Sequence, residues 1–132
     1  VVLDWIINDV IAAKTVGNDG AFTAGTYCGD YKAQIDTIQA INSTPSTLIL
    51  VPQAYSGATY ATWLTYVAGA LAVAQATNSA FLDMNAVFYN EAWAGRATGV
   101  KYVDADGTHP DDPGHQMIAA LKKAMILSAL GW

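Results

Sequence analysis

The chain has 132 residues, a length typical of one domain, and a formal net charge of −5. Hydrophobic residues make up 53% of it and charged residues only 13%, which excludes an intrinsically disordered chain. Its six Lys and Arg residues leave no basic surface for a nucleic-acid backbone. No apolar stretch reaches the roughly 18 residues of a membrane-spanning helix, so we expect no membrane span.

Three short apolar runs predict strands: Val1–Ile7, Thr47–Val51 and Ala80–Leu82. Continuous rather than alternating apolar runs are typical of parallel strands that are buried on both faces. Between these runs, apolar residues at helical spacing predict two helices. The first has Tyr31, Ile35, Ile38 and Ile41 on its apolar face; the second has Tyr60, Trp63, Leu64, Val67, Leu71 and Ala74, with Thr59 or Ser56 as its cap.

A final helix has the clearest boundaries in the sequence. Asp112 suits the N-cap, Pro113 the first helical position and Gly131 the stop, and this helix carries an apolar face. The alternation of strands and helices predicts a three-layer α/β/α domain around a parallel sheet. Two long loops, 17–29 and 90–108, interrupt this order, and long loops in compact domains are often functional.

Polar residues that can carry chemistry lie where ligands bind to such sheets, beyond the carboxyl ends of the strands. Asn8 follows the first predicted strand, and Asp106 and His109 precede the last helix. A carboxylate three residues before a histidine, with Gly107 between them, can reach one ring nitrogen and stabilise the imidazolium. Asn8 can offer its amide to a developing oxyanion. We therefore expect a general base, the residue that orients it and an oxyanion donor.

The segment from Asp106 to Pro110, Asp-Gly-Thr-His-Pro, resembles the last conserved block of the SGNH, or GDSL-like, hydrolases. Asn8-Asp9 after a buried strand is similar to the block that supplies the family's oxyanion-hole Asn. The resemblance implies an esterase with a flavodoxin-like fold and strand order 2-1-3-4-5. Residues 1–132 would be the C-terminal part of one such domain, supplying strands 3, 4 and 5. It implies His109 as base and acid, Asp106 as its partner, and neither metal nor organic cofactor.

The family's nucleophilic serine has no counterpart in this sequence, because no Gly-Asp-Ser occurs in it. Ser56 follows the second strand but lacks the elbow that exposes a nucleophile. We therefore expect the nucleophile on a missing N-terminal part of the same domain, whose absence would leave the apolar edge of the first strand bare. Within the family, acyl groups on carbohydrates are common substrates. The low-charge, acidic composition, rich in Gly, Thr, Ala and Tyr, favours such a substrate and a secreted or virion-associated protein.

Other interpretations stay open at this point. The chain is alternatively a catalytically incomplete SGNH-like module that serves as a glycan-binding or structural piece. A metal site is a weaker alternative, because His109 and His115 are six residues apart and the surrounding aspartates do not complete a calcium loop. We expect His115 to be a packed or supporting histidine and Asp9 to be structural. The single cysteine, Cys28, is interpreted as a small packed residue.

Overall fold

The computed structural model describes residues 1–4, 6–18, 20–41, 47–51, 58–84 and 109–129. The chain divides into two compact units. The first comprises Val1–Pro52 and Gly57–Asp83, and the second comprises Gln53–Ser56 and Met84–Trp132. Within the described residues, no helix is both long and apolar enough to cross a membrane.

A three-stranded parallel sheet forms the centre of the first unit. Its strands are β1 (Val2–Leu3), β2 (Leu48–Val51) and β3 (Ala80–Asp83), in the order β1-β2-β3. Leu3 pairs with Ile49, and Ile49 pairs with Phe81, so the register runs continuously across the sheet. Every residue of β2 is buried, as a central parallel strand requires. The α/β class with a parallel sheet is therefore confirmed, whereas the three-layer flavodoxin-like arrangement stays a prediction.

The first strand is shorter than predicted. We expected a strand over Val1–Ile7, but β1 ends at Leu3 and a helix, α1, spans Ile6–Ile11. Ile6 and Val10 are four residues apart and both are buried, so helical spacing places them on one inward face. β1 is an outer strand of the described sheet and leaves Val2 40% exposed.

The second helix, α2, spans Tyr27–Ile41 and begins inside the predicted loop 17–29. Its start is set by Thr26, whose hydroxyl oxygen accepts a hydrogen bond from the backbone N–H of Gly29 at 3.1 Å. Tyr31 and Ile35 are buried, as their spacing predicts. Ile41 is 83% exposed, so the predicted apolar face ends one turn early.

The third helix, α3, spans Tyr60–Ala76 and contacts α1, α2 and the sheet. Thr59 is its N-cap, one of the two residues predicted for that role; its side chain accepts from the N–H of Thr62 at 3.2 Å. Its buried face includes Trp63, Val67 and Ala74 as predicted, but Leu64 and Leu71 are about 40% exposed. The inward residues are Trp63, Tyr66, Val67, Gly69, Ala70, Val73 and Ala74.

The second unit contains helix α4, which spans Asp112–Ala129. Its N-cap is Asp111 rather than the predicted Asp112, because Asp111 Oδ1 accepts from the N–H of Gly114 at 2.8 Å. Asp112 thus takes the first helical position that was predicted for Pro113. The predicted stop at Gly131 lies outside the described residues.

Candidate functional site

Asn8, the predicted oxyanion donor, lies on α1, which follows the carboxyl end of β1 after a short connection. Its side chain is exposed, while Ile6 and Val10 of the same helix are buried at 1% and 7% exposure. A six-residue helix is too short to be stable alone, so tertiary contacts must hold it in place. The orientation of Asn8 therefore depends on what anchors α1.

Lys14 is one of those anchors, and its first contact with α1 is a backbone hydrogen bond. The N–H of Lys14 donates to the carbonyl of Asp9 at 3.0 Å, and the N–H of Ala13 donates to Val10 at 3.0 Å. Ala13 has a φ of 49°, so this pair of hydrogen bonds is a Schellman motif in which Ala13 occupies the left-handed position that glycine usually takes. The motif ends α1 and brings the Lys14 side chain back toward Asp9.

The ammonium of Lys14 joins two carboxylates on different helices. Its Nζ lies 2.7 Å from Asp30 Oδ2 on α2 and 3.7 Å from Asp9 Oδ1 on α1. Asp30 also accepts from the backbone N–H of Gly25 at 2.7 Å. The hydrogen bond from Lys14, followed by that from Gly25, lowers the pKa of Asp30, and the bond to Asp30 raises the pKa of Lys14. The side-chain contact with Lys14 fits the structural role predicted for Asp9.

We refer to Asp9, Lys14 and Asp30 together as the Lys14 bridge. Sequence analysis did not identify Lys14 or Asp30 as important for the site. They are 16 residues apart and come together only when the loop between α1 and α2 folds back. The sequence feature that could have indicated them is their position: Lys14 is the first cation after Asn8-Asp9, and Asp30 is the first acidic residue of α2.

Three tyrosines of the same unit pack together, with Tyr27 in contact with both Tyr31 and Tyr66. The Tyr27 ring is 5.6 Å from the Tyr31 ring and 5.3 Å from the Tyr66 ring, measured between centroids. Tyr31 donates its hydroxyl hydrogen to the carbonyl of Leu3 at 2.9 Å, and Tyr66 donates to the carbonyl of Lys14. Burial raises the pKa of all three phenols, which keeps them neutral, and two of them, Tyr31 and Tyr66, act as donors. Tyr31 thus links α2 to the end of β1, and Tyr66 links α3 to Lys14.

The other two predicted catalytic residues belong to the second unit. His109 is exposed and lies three residues before the first residue of α4. Asp106 lies outside the described residues, so its hydrogen bond to His109 stays a prediction, as does the meeting of His109 with Asn8. His115 is exposed in the first turn of α4, which does not support the packed position we expected for it. Its backbone N–H donates to Asp111 at 2.8 Å, a normal helix-start contact.

Among the residues that the structure describes, no group of three or more His, Cys, Asp or Glu side chains is placed to hold a metal ion. Cys28 is fully buried on the inner face of α2, close to Gly69 of α3, which fits a packed residue. In comparisons with known proteins, no family model, no curated protein and no solved structure matches this chain.

Proposed function

We propose that this chain supplies the acid–base half of a serine-dependent carboxylic-ester hydrolase of the SGNH type. The observation that carries the proposal is the Asp106-Gly-Thr-His109-Pro110 segment, placed before the helix that closes the chain. The parallel β1-β2-β3 sheet supports it, because this is the order that strands 3, 4 and 5 of such a fold would have. The exposed Asn8 beyond the carboxyl end of β1 supports it as well.

Each residue has a defined role in the proposed reaction. His109 takes the proton from a serine hydroxyl while the serine oxygen attacks the ester carbonyl, and Asp106 stabilises the resulting imidazolium. Asn8 donates its side-chain N–H to the oxyanion. His109 then gives its proton to the leaving alcohol, which completes the acyl-enzyme. His109 then takes a proton from water as the water oxygen attacks the acyl carbonyl; the bond to the serine oxygen breaks, His109 returns the proton to that oxygen, and the acid is released.

The nucleophile belongs to a segment outside these residues, because the chain contains no Gly-Asp-Ser. We propose that the substrate is an acylated carbohydrate, which the low charge and the Gly-, Thr- and Tyr-rich composition favour. The isolated chain is then inactive on a small chromogenic ester. Turnover by residues 1–132 that survives His109→Ala would argue against the proposed site.

The proposal is tested with the protein that includes the preceding segment. His109→Ala and Asp106→Ala should each lower kcat on an acetate ester by about 10³-fold or more, with little change in KM. His115→Ala is the matched control, since His115 is an exposed histidine of the same segment, and it should keep kcat within about twofold. If His115→Ala lowers kcat more than His109→Ala does, the assignment is wrong.

A second candidate function is a non-enzymatic SGNH-like module, which the missing nucleophile favours. It predicts that the protein binds an acetylated oligosaccharide without releasing acetate. In that case His109→Ala leaves binding unchanged and no ester hydrolysis is detected with either variant.

A further inference from the structure

The segment that carries Asn8 is held in place by a bridge that no sequence pattern marks. α1 has two kinds of anchor. Its buried residues, Ile6 and Val10, fix its depth against the rest of the unit. Its polar anchor is Lys14, which binds Asp9 twice, through the backbone carbonyl at 3.0 Å and through the carboxylate at 3.7 Å.

The polar anchor adds a directional contact to the buried apolar face of α1, and together they set the rotation of α1 about its own axis. Successive residues of an α-helix are about 100° apart around the axis. Asn8 lies about 200° from both Ile6 and Val10 and is exposed, while Asp9 is turned toward Lys14 and is only 21% exposed. Apolar contacts alone tolerate such a rotation more readily, because they have no directional preference.

Lys14 is itself fixed from two further elements. The Lys14 ammonium donates a hydrogen bond to the Asp30 carboxylate on α2 at 2.7 Å. The Tyr66 hydroxyl on α3 donates a hydrogen bond to the Lys14 backbone carbonyl. Asp30 in turn is held by the backbone N–H of Gly25. Lys14 therefore connects the end of α1 to both α2 and α3.

We propose that Lys14 is a positioning residue of the esterase, acting through Asp9 and Asp30 to hold the Asn8 amide in the orientation that the oxyanion requires. This inference rests on the proposed function. A donor that is displaced by a fraction of an ångström loses much of its benefit in the transition state while substrate binding is little affected. Lys14 thus contributes to kcat and hardly to KM.

The test is a double-mutant cycle in the protein that carries the nucleophile. Lys14→Met removes the charge and keeps an unbranched apolar stem. Asp30→Asn is a second variant, in case the first fails to fold, because an amide oxygen can still accept from Gly25. Lys32→Met is the matched control: Lys32 also forms an ion pair with a carboxylate on α2, that of Asp36, at 2.6 Å, and this ion pair lies within α2.

We expect Lys14→Met to lower kcat about tenfold with KM within twofold, and Lys14→Arg to restore most of it. In the Asn8→Ala background, Lys14→Met should change kcat by less than twofold, whereas Lys32→Met has no effect in either background. Hydrogen exchange should show faster exchange of the α1 amides in Lys14→Met than in Lys32→Met.

Two results would overturn the inference while leaving the proposed function intact. One is a Lys14→Met effect on kcat that multiplies fully with that of Asn8→Ala; the other is unchanged exchange in α1. If Asn8→Ala itself leaves kcat unchanged, the oxyanion role is wrong, and the inference falls with it.

Discussion

The two buried tyrosines of α2 provide a matched pair for testing how α2 is joined to β1. Tyr31 is 3% exposed and its hydroxyl donates to the carbonyl of Leu3 at 2.9 Å. Tyr27, one turn earlier, is 1% exposed, and in the described part of the chain its hydroxyl has no hydrogen-bond partner. The same Tyr→Phe substitution therefore removes a hydrogen bond at one site and only an unpaired polar group at the other.

The two substitutions should change the free energy of unfolding differently. Tyr31→Phe loses a buried hydrogen bond, which lowers the free energy of unfolding by about 1 kcal/mol. Tyr27→Phe removes a hydroxyl whose burial is not compensated, so it should leave stability unchanged or raise it by up to about 1 kcal/mol. Both substitutions keep the ring, and with it nearly all the packing.

Urea denaturation followed by tryptophan fluorescence measures the difference. With a slope of about 2 kcal/mol per molar urea, Tyr31→Phe should lower the midpoint by about 0.5 M while Tyr27→Phe does not lower it. Equal losses in the two variants would refute the reasoning, because they would mean that the hydroxyl of Tyr27 is as well bonded as that of Tyr31.

Three other substitutions and one change of pH give distinct outcomes in the same assay. Ala13→Gly should raise the free energy of unfolding by about 0.5–1 kcal/mol, because Ala13 has a φ of 49° that glycine adopts without strain; a loss would contradict the Schellman assignment. Gly29→Ala should lower it by about 2 kcal/mol, since the new Cβ would overlap the Thr23 carbonyl oxygen; an unchanged free energy of unfolding would contradict this close approach of Thr23 to Gly29. The pKa of Asp30 is lower in the folded state than in the unfolded chain, so its ionised carboxylate stabilises the fold at pH values above its unfolded-state pKa. This stabilisation should be lost on acidification below about pH 4, as the pH falls through the folded-state pKa. Lys14→Met should show a smaller acid-side loss than the parent protein; an equal loss would contradict the contact between Lys14 and Asp30.

Sequence analysis identified β2 and β3 because their apolar runs are short, continuous and bounded by polar residues. It overestimated β1, because the apolar residues of segment 1–7 fit a buried strand and a short helix equally well. The burial of Ile6 and Val10 with Asn8 exposed between them fits the helix, since a strand would place all three on one face. The N-cap of α4 was misplaced by one residue, since Asp111 and Asp112 are chemically alike and only the hydrogen bond to Gly114 distinguishes them.

The supports of the candidate site were not predictable from local pattern. Tyr66 and Lys14 are 52 residues apart, and their hydrogen bond depends on how α3 packs against the end of α1. Leu64 and Leu71 have the spacing of core residues, yet both are about 40% exposed, whereas Tyr66, which the pattern did not include, is buried beside the predicted Trp63. Tertiary packing, rather than periodicity, selects which of two apolar faces is buried.

The most direct test of the proposed chemistry is covalent capture of the nucleophile. The protein that includes the preceding segment is treated with a fluorophosphonate, and the modified residue is identified by peptide mass spectrometry. We expect one modified serine, outside Val1–Trp132, and loss of the modification in His109→Ala, because His109 must take the serine proton. Modification that persists in His109→Ala, or that falls on Ser56 of this chain, would contradict the assignment of His109 as the base of a serine esterase.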